Sequence, residues 1–141
     1  MKKDTNCILC DIAKHAVNAA ILFENESVIA ILDLYPATRG HALILPKKHI
    51  PTIYDMPLET GKEIIDSAIL LSRAINNSFK PAGLNLIQSN GKAGEQTIDH
   101  FHLHIVPRYK NDDVVLKFGH GNVAADQDEI ERVAKIIRQV L

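Results

Sequence analysis

The chain has 141 residues, 46% of them hydrophobic and 23% charged, with a formal net charge of −1. That length suits one domain with its own core and is short for two. The near-neutral balance excludes a global electrostatic pull toward nucleic acid or membrane, leaving only the local basic pair Lys47-Lys48. No apolar run reaches bilayer length, and Met1 to Thr5 leads into polar residues without the apolar core of a signal peptide. A cytoplasmic protein without nucleic-acid or membrane partners is expected.

No repeat, low-complexity tract or linker interrupts the sequence, so residues 1–141 read as a single domain. Thr5 to about His15 reads as a short helix, with Thr5 or Asn6 as N-cap and an apolar stripe of Ile8, Leu9 and Ile12. Ala20–Glu24 and Ser27–Leu32 are apolar runs on either side of Asn25-Glu26, a β-hairpin pattern. Asp33 to Gly40, with Pro36, is a loop, and His41–Leu45 is a third strand stopped by Pro46. Asp55 suits the N-cap of the longest helix, with Pro57 in its first turn. Ile65, Ala68, Ile69, Ser72, Ile75 and Phe79 then follow helical spacing up to Pro81. Leu84–Gln88 is a fourth strand, Asn90–Gln96 a glycine-containing loop, and His100–Val106 a fifth strand. After a polar stretch from Arg108 to Asp113, a last helix spans about 126–140. Asp126 and Glu129 resemble a capping box, and Ile130, Val133, Ala134, Ile137 and Leu141 form a stripe. The class is α+β: a five-stranded, mostly antiparallel sheet with helices packed to one side.

The fifth strand carries the chemistry. In His100-Phe101-His102-Leu103-His104-Ile105 the alternation puts three imidazoles on one face and three apolar side chains on the other. The apolar face reads as core. The imidazole face titrates near neutral pH and packs poorly, so it reads as a site. A neutral imidazole with one nitrogen held by an acceptor attacks phosphorus or an acyl carbon through the other, and a strand mounts it rigidly. In the preceding loop Gly91 and Gly94 let backbone N–H groups approach an anion, and Thr97 adds a hydroxyl donor. His15 and His120, in polar surroundings, read as surface residues. Cys7-x-x-Cys10 is a redox couple, half of a metal site, or incidental. The strand-led βαβ setting of a thioredoxin-type pair is absent, so the metal reading leads.

The His-x-His-x-His run resembles the histidine-triad superfamily of nucleotide hydrolases and transferases. So do Asp33 ahead of a Pro-containing loop, the run Gly40 to His49, and Gly94-Glu95-Gln96-Thr97. The likeness covers about Cys7 to Arg108. It implies that His102 is the nucleophile, taking the nucleotidyl group as a phosphoramidate. His104 and His41 would contact phosphate or hold the imidazole's orientation. It further implies that Asp33 receives the ribose hydroxyls, and that Asn90, Gly94, Gln96 and Thr97 face the phosphates. Ile8, Leu9, Ile12, Val17 and Ile31 would line a slot for the base. The implied substrate is a purine nucleotide cleaved at its α-phosphate, and the implied assembly is a homodimer whose sheets join.

Asp33-x-x-Pro36 and Pro46 to Ile50 are similar to the phosphoramidase branch. Gly94 to Thr97 with Val106-Pro107-Arg108 are similar to the fragile-histidine-triad branch, which cleaves dinucleoside polyphosphates. The balance leans to the phosphoramidase side, and His104 disfavours the uridylyltransferase branch, which has Gln there. Some bacterial proteins of this type hold a structural zinc at the positions of Cys7, Cys10, His49 and His100, a Cys₂His₂ set; no cofactor is implied for the chemistry itself. A nucleotide-binding regulatory module, and a metal-dependent hydrolase using the triad as ligands, are the competing readings.

Overall fold

The computed structural model describes residues 6–119 and 123–141; Thr5, offered as a cap, and His120 lie outside them. Strands β1 (Ile21–Glu24), β2 (Val28–Leu32), β3 (Ala42–Pro46), β4 (Gly83–Gln88) and β5 (Leu103–Arg108) form one sheet in the order β1-β2-β3-β5-β4. Every neighbouring pair is antiparallel. The β1–β2 hairpin turns without an Asn-Gly because the Asn25 side-chain oxygen accepts the amides of Ser27 and Val28, at 2.8 and 2.9 Å. Helix α2 (Leu58–Phe79) carries the chain from β3 to β4, and β5 returns between them.

Successive strand residues face opposite sides, and directly opposed residues share a side. Ile29, Ile31, Leu43 and Leu45 therefore gather with Leu9, Cys10 and Ile12 of α1 (Ile8–Ala13) on one face. Val28, Ala30, Ala42, Ile44, Leu103 and Ile105 gather on the other, under Ile64, Ala68, Leu71 and Ile75 of α2. Helices thus cover both faces, which corrects the one-sided expectation. A strand buried on both sides reads as an unbroken apolar run, which is why Val28–Leu32 and Ala42–Leu45 show no alternation. Leu43 opposes His104 in the β3–β5 ladder, so His104 belongs to the α1 face.

Several boundaries differ from the sequence reading. Cys7, not Asn6, caps α1: its Sγ accepts the Cys10 amide at 3.4 Å. Asp55 closes a short 3₁₀ turn over Ile53–Asp55 in a capping box with Thr52, and Pro57 takes the α2 N-cap. The buried stripe of α2 is Ile64, Ser67, Ala68, Leu71 and Ile75. Ile65 and Ile69, expected inside, are 52% and 46% exposed. Both rows are apolar at helical spacing, so periodicity alone does not select between them. β3 includes Pro46, opposite Val28, and β5 starts at Leu103, with His100 and His102 in the irregular segment before it. In α3 (Gln127–Arg138) Asp126 accepts the Glu129 amide as expected, yet no residue of the helix is buried. No described helix is long and apolar enough to cross a membrane.

Candidate active site and metal centre

The α1 face of the sheet carries two clusters joined by the histidine run. At one end, just beyond the Leu32–Ala42 pair of β2 and β3, Asp33 and His41 flank each other; the Asp33 amide donates to the His41 carbonyl at 2.9 Å. The loop between them is firmly tied. The Ala37 N–H donates to His41 Nδ1 at 2.9 Å, the Thr38 hydroxyl donates to the Pro107 carbonyl at 2.6 Å, and the Tyr35 N–H donates to Asp33 Oδ1 at 2.9 Å.

These bonds determine the imidazole tautomers. Because His41 Nδ1 accepts, its Nε2 carries the proton, which it donates to His104 Nδ1 at 2.9 Å. His104 Nδ1 accepts, so its Nε2–H is the free donor. Asp33 Oδ2 stands 3.5 Å from His41 Nε2. Burial, followed by the neighbouring His102 and His41, pushes His104 down to about 4 despite Asp33. Burial also lowers His41, with Asp33 opposing. Both are neutral at physiological pH. Asp33, His41 and His104 bring three metal-type donors together. His41 cannot accept the Ala37 amide through Nδ1 and offer a lone pair on Nε2 at once, so this cluster is built to hold a proton.

His102 is 6% exposed and packs edge-on to His104, ring centres 5.0 Å apart. Its Nδ1–H donates to the His100 carbonyl at 2.7 Å, which leaves the lone pair on Nε2. That nitrogen has no hydrogen-bond partner among the described residues, and no buried side-chain polar atom lacks one. Nε2 is therefore open to the outside, on the ring edge opposite its anchor.

The second cluster is Cys7, Cys10, His49 and His100, whose donor atoms all lie within 4.8 Å of one another. His100 is fully buried; its Nε2–H donates to the Pro46 carbonyl at 2.8 Å, turning the Nδ1 lone pair toward both sulfurs at 3.4 Å. His49 Nδ1 lies 3.2 Å from Cys10 Sγ. A ring N–H held by a backbone carbonyl, with the opposite nitrogen converging on two cysteines, is the support expected around a tetrahedral metal. The residues fit the group.

Other expected site residues are placed differently. The Gly91 amide donates to Gln96 Oε1 at 2.8 Å, and the Gly94 and Gln96 amides both donate to the Gly91 carbonyl at 3.1 Å. These N–H groups close the loop on itself, correcting the expectation that they cradle an anion; Gly91 serves by its φ of +76°. Gln96 also donates to the Pro51 carbonyl at 2.7 Å, and Asn90 Oδ1 accepts the Ile53 amide at 2.7 Å. Both side chains tie the loop to the 51–53 segment. The amide and hydroxyl of Thr97 have no internal partner among the described residues, and Thr97 lines a cavity of about 600 Å³ with Ile8, Cys7 and His49. Leu9, Ile12 and Ile31 are buried core, while Ile8 is 42% exposed and Val17 partly buried. His15 is exposed, near Glu24. Arg108 is consumed by Asp112, Asn85 and the Val114 carbonyl.

Sequence reasoning missed Ala37, and it quoted Pro46 and Gly40 within motif runs without seeing what they do. The first two act through backbone atoms and leave no side-chain signal. Gly40 has φ +90°, and an added Cβ would stand 3.2 Å from the Phe79 ring. Gly40→Ala is expected to cost ~1–3 kcal/mol through its left-handed backbone and this contact, read as a lower urea midpoint.

The HIT domain family profile matches residues 14–111. A HIT family protein from Bacillus anthracis superposes with a TM-score of 0.91 at 32% identity, covering 99% of both chains. A Zn-bound histidine triad family protein from Mycobacterium smegmatis superposes at 0.73 with 31% identity, covering 94% of this chain and 96% of the other. The adenosine 5′-monophosphoramidase hnt1 of Schizosaccharomyces pombe is 30% identical over 132 residues, 94% of this chain and 96% of that protein. With the triad, its anchoring carbonyl and the sheet order in place, the chain belongs to the HIT domain family.

Proposed function

We propose that the protein is a nucleoside phosphoramidase working through a covalent nucleotidyl-His102 intermediate. The observation that carries this reading is the 2.7 Å bond from His102 Nδ1–H to the His100 carbonyl, which leaves Nε2 as a lone pair at the open side. Nε2 attacks the α-phosphorus; an N–P bond forms as the bond to the leaving amine breaks. Water then displaces His102, releasing the nucleoside monophosphate and returning the lone pair. The His104 Nε2–H donates to a non-bridging oxygen, stabilising charge that grows in the transition state. His41 has both nitrogens committed, so it acts through His104 and does not touch phosphate. Asp33 receives the ribose hydroxyls, Thr97 offers the loop's uncommitted donors, and Ile8 and Val17 provide the exposed part of the base slot.

Cys7, Cys10, His49 and His100 would hold a structural zinc, which supplies a crosslink between α1, the segment after β3 and the histidine run, and no chemistry of its own. A homodimer is part of the proposal. β4 is an unpaired sheet edge with Leu86 50% exposed, and α2 exposes Leu58, Ile65 and Leu70, an apolar area suited to a second copy.

The phosphoramidase reading gains over dinucleoside polyphosphate hydrolysis from Arg108. That residue was one part of the resemblance to the polyphosphate branch, beside Gly94 to Thr97 and Val106-Pro107, and here it pins the 109–114 turn. The test compares kcat/KM for an adenosine 5′-phosphoramidate and a diadenosine polyphosphate on one preparation. Preference for the amidate by at least ~10-fold, about 1.4 kcal/mol in transition-state binding, is expected. The reverse preference would move the protein to polyphosphate hydrolysis, and turnover of neither would leave a binding module.

A further inference from the structure

We infer that the Cys7, Cys10, His49 and His100 cluster positions the nucleophile, by clamping the one peptide plane that orients His102. This rests on His102 being the reacting group in the proposed function. The plane in question joins His100 to Phe101. Its carbonyl accepts the His102 Nδ1–H at 2.7 Å, and its N–H donates to the Ile50 carbonyl at 2.7 Å. One side of the plane therefore belongs to a cluster residue, His100, and the other is bonded to the immediate neighbour of a second, His49.

Neither carrier segment is held by regular structure. The strand β5 begins only at Leu103, and β3 ends at Pro46, so residues 97–102 and 47–51 have no ladder to fix them. What holds them are the bonds from His100 Nε2–H to the Pro46 carbonyl, from His100 N–H to the Ile98 carbonyl and from Lys47 N–H to the Ser27 carbonyl, each 2.8 Å, the Gln96 bond to the Pro51 carbonyl at 2.7 Å, the burial of Ile50 and Phe101, and the four-donor cluster. The His49 and His100 rings stand edge to face, 5.2 Å apart, with the sulfurs of Cys7 and Cys10 between 3.2 and 3.4 Å from the ring nitrogens. An ion held by Cys7, Cys10, His49 and His100 would tie both segments to α1, and with them the acceptor carbonyl. Without it, the thiols keep their protons and only weak S–H···N contacts of 3.2–3.4 Å join the cluster, a looser restraint that lets the plane tilt about its Phe101 N–H bond to the Ile50 carbonyl. A rotated carbonyl releases the His102 Nδ1 proton to the other tautomer, and the lone pair leaves Nε2. Cys7, Cys10 and His49 are thus positioning residues for a reaction they do not touch.

The test uses the full chain purified with its metal, alongside His49→Ala, which removes one ligand, and His49→Cys, which restores a four-ligand Cys₃His set. Three quantities are read well below each variant's unfolding temperature: zinc per chain, kcat and KM for an adenosine phosphoramidate, and the ¹H–¹⁵N signature of the His102 ring. The expected result for His49→Ala is loss of the ion, a ~10–100-fold fall in kcat with KM within about threefold, and loss of the Nδ1–H signal. His49→Cys recovers all three. If His49→Ala loses the ion and thermal stability but keeps kcat and the Nδ1–H signal, the cluster is a scaffold only and the inference fails. A change confined to KM would assign the cluster to α1 docking, and wild-type protein without bound metal would also overturn it. The ring signature needs no turnover, so failure of the phosphoramidase reading would be seen separately, as an inactive wild type that still loses the signal on losing the ion.

Discussion

His102→Ala is expected to lower turnover of an adenosine phosphoramidate by at least ~10⁴-fold while leaving nucleoside monophosphate affinity within about tenfold. Removing a nucleophile abolishes the two-step route, and what remains is acceleration by the oriented donors around the phosphate. Those donors survive the change: the His104 proton is set by His41 and Ala37, neither of which touches His102 by hydrogen bond. The substitution also strips the His100 carbonyl of the Nδ1–H it accepts, a cost of ~1–3 kcal/mol when such a group stays buried and unpaired. Activity is therefore compared at a temperature where far-UV circular dichroism shows both proteins folded. Acid quenching of wild type during turnover of a slow substrate should trap the nucleotidyl group on the protein, and the variant should trap none. Residual activity above one hundredth of wild type would mean that water attacks phosphorus directly or that another group is the nucleophile.

The histidine run was legible because its alternation survives even where the ladder does not. Phe101, Leu103 and Ile105 enter the core under α2, while His102 and His104 stay on the α1 face. What local pattern could not supply is the tautomer of each ring. For His100 and His104 that depends on partners far away in sequence, Pro46 and His41, the latter set in turn by the Ala37 amide. Two of those partners are backbone groups, a carbonyl and an amide N–H, which nearly every residue type possesses. The glycine loop was misread for the opposite reason, since its composition suits an anion cradle but its own turn takes up the amides of Gly91, Gly94 and Gln96. In α2, Ile64 and Ile65 both lie on apolar rows at helical spacing, and the contacts made with the sheet, which the local pattern does not carry, select Ile64. The cysteines were legible as a pair, and the topology then brought His49 and His100 to them across 39 and 90 positions from Cys10.

Acidification should unfold the protein through the same network that sets its chemistry. His104 is held at about 4 against an ordinary 6.5, first by burial and then by His102 and His41. Below pH 6.5 the unfolded chain takes up a proton that the folded chain refuses, so the unfolded state gains ground as pH falls. The stabilisation is complete above 6.5 and is lost as pH falls through about 4, below which both states are protonated. At ~1.4 kcal/mol per pH unit, this one ring contributes on the order of 3 kcal/mol. His41, lowered by burial against the pull of Asp33, shifts stability in the same direction. Asp112, which Arg108 keeps far below the usual carboxylate range, has its effect only as pH drops under about 4, outside this window. Protonation of the cysteine and histidine ligands would release a bound metal as pH falls, so the slope of wild type alone does not isolate His104. His104→Gln does: it retains an acceptor for the His41 proton and a donor toward the site but cannot titrate. Urea unfolding at pH 7.0, 6.0, 5.0 and 4.5 should show the variant losing less stability than wild type across the series, the gap reaching on the order of 2 kcal/mol at pH 4.5. Parallel curves would place the acid sensitivity in the metal centre and remove His104 from the account of it.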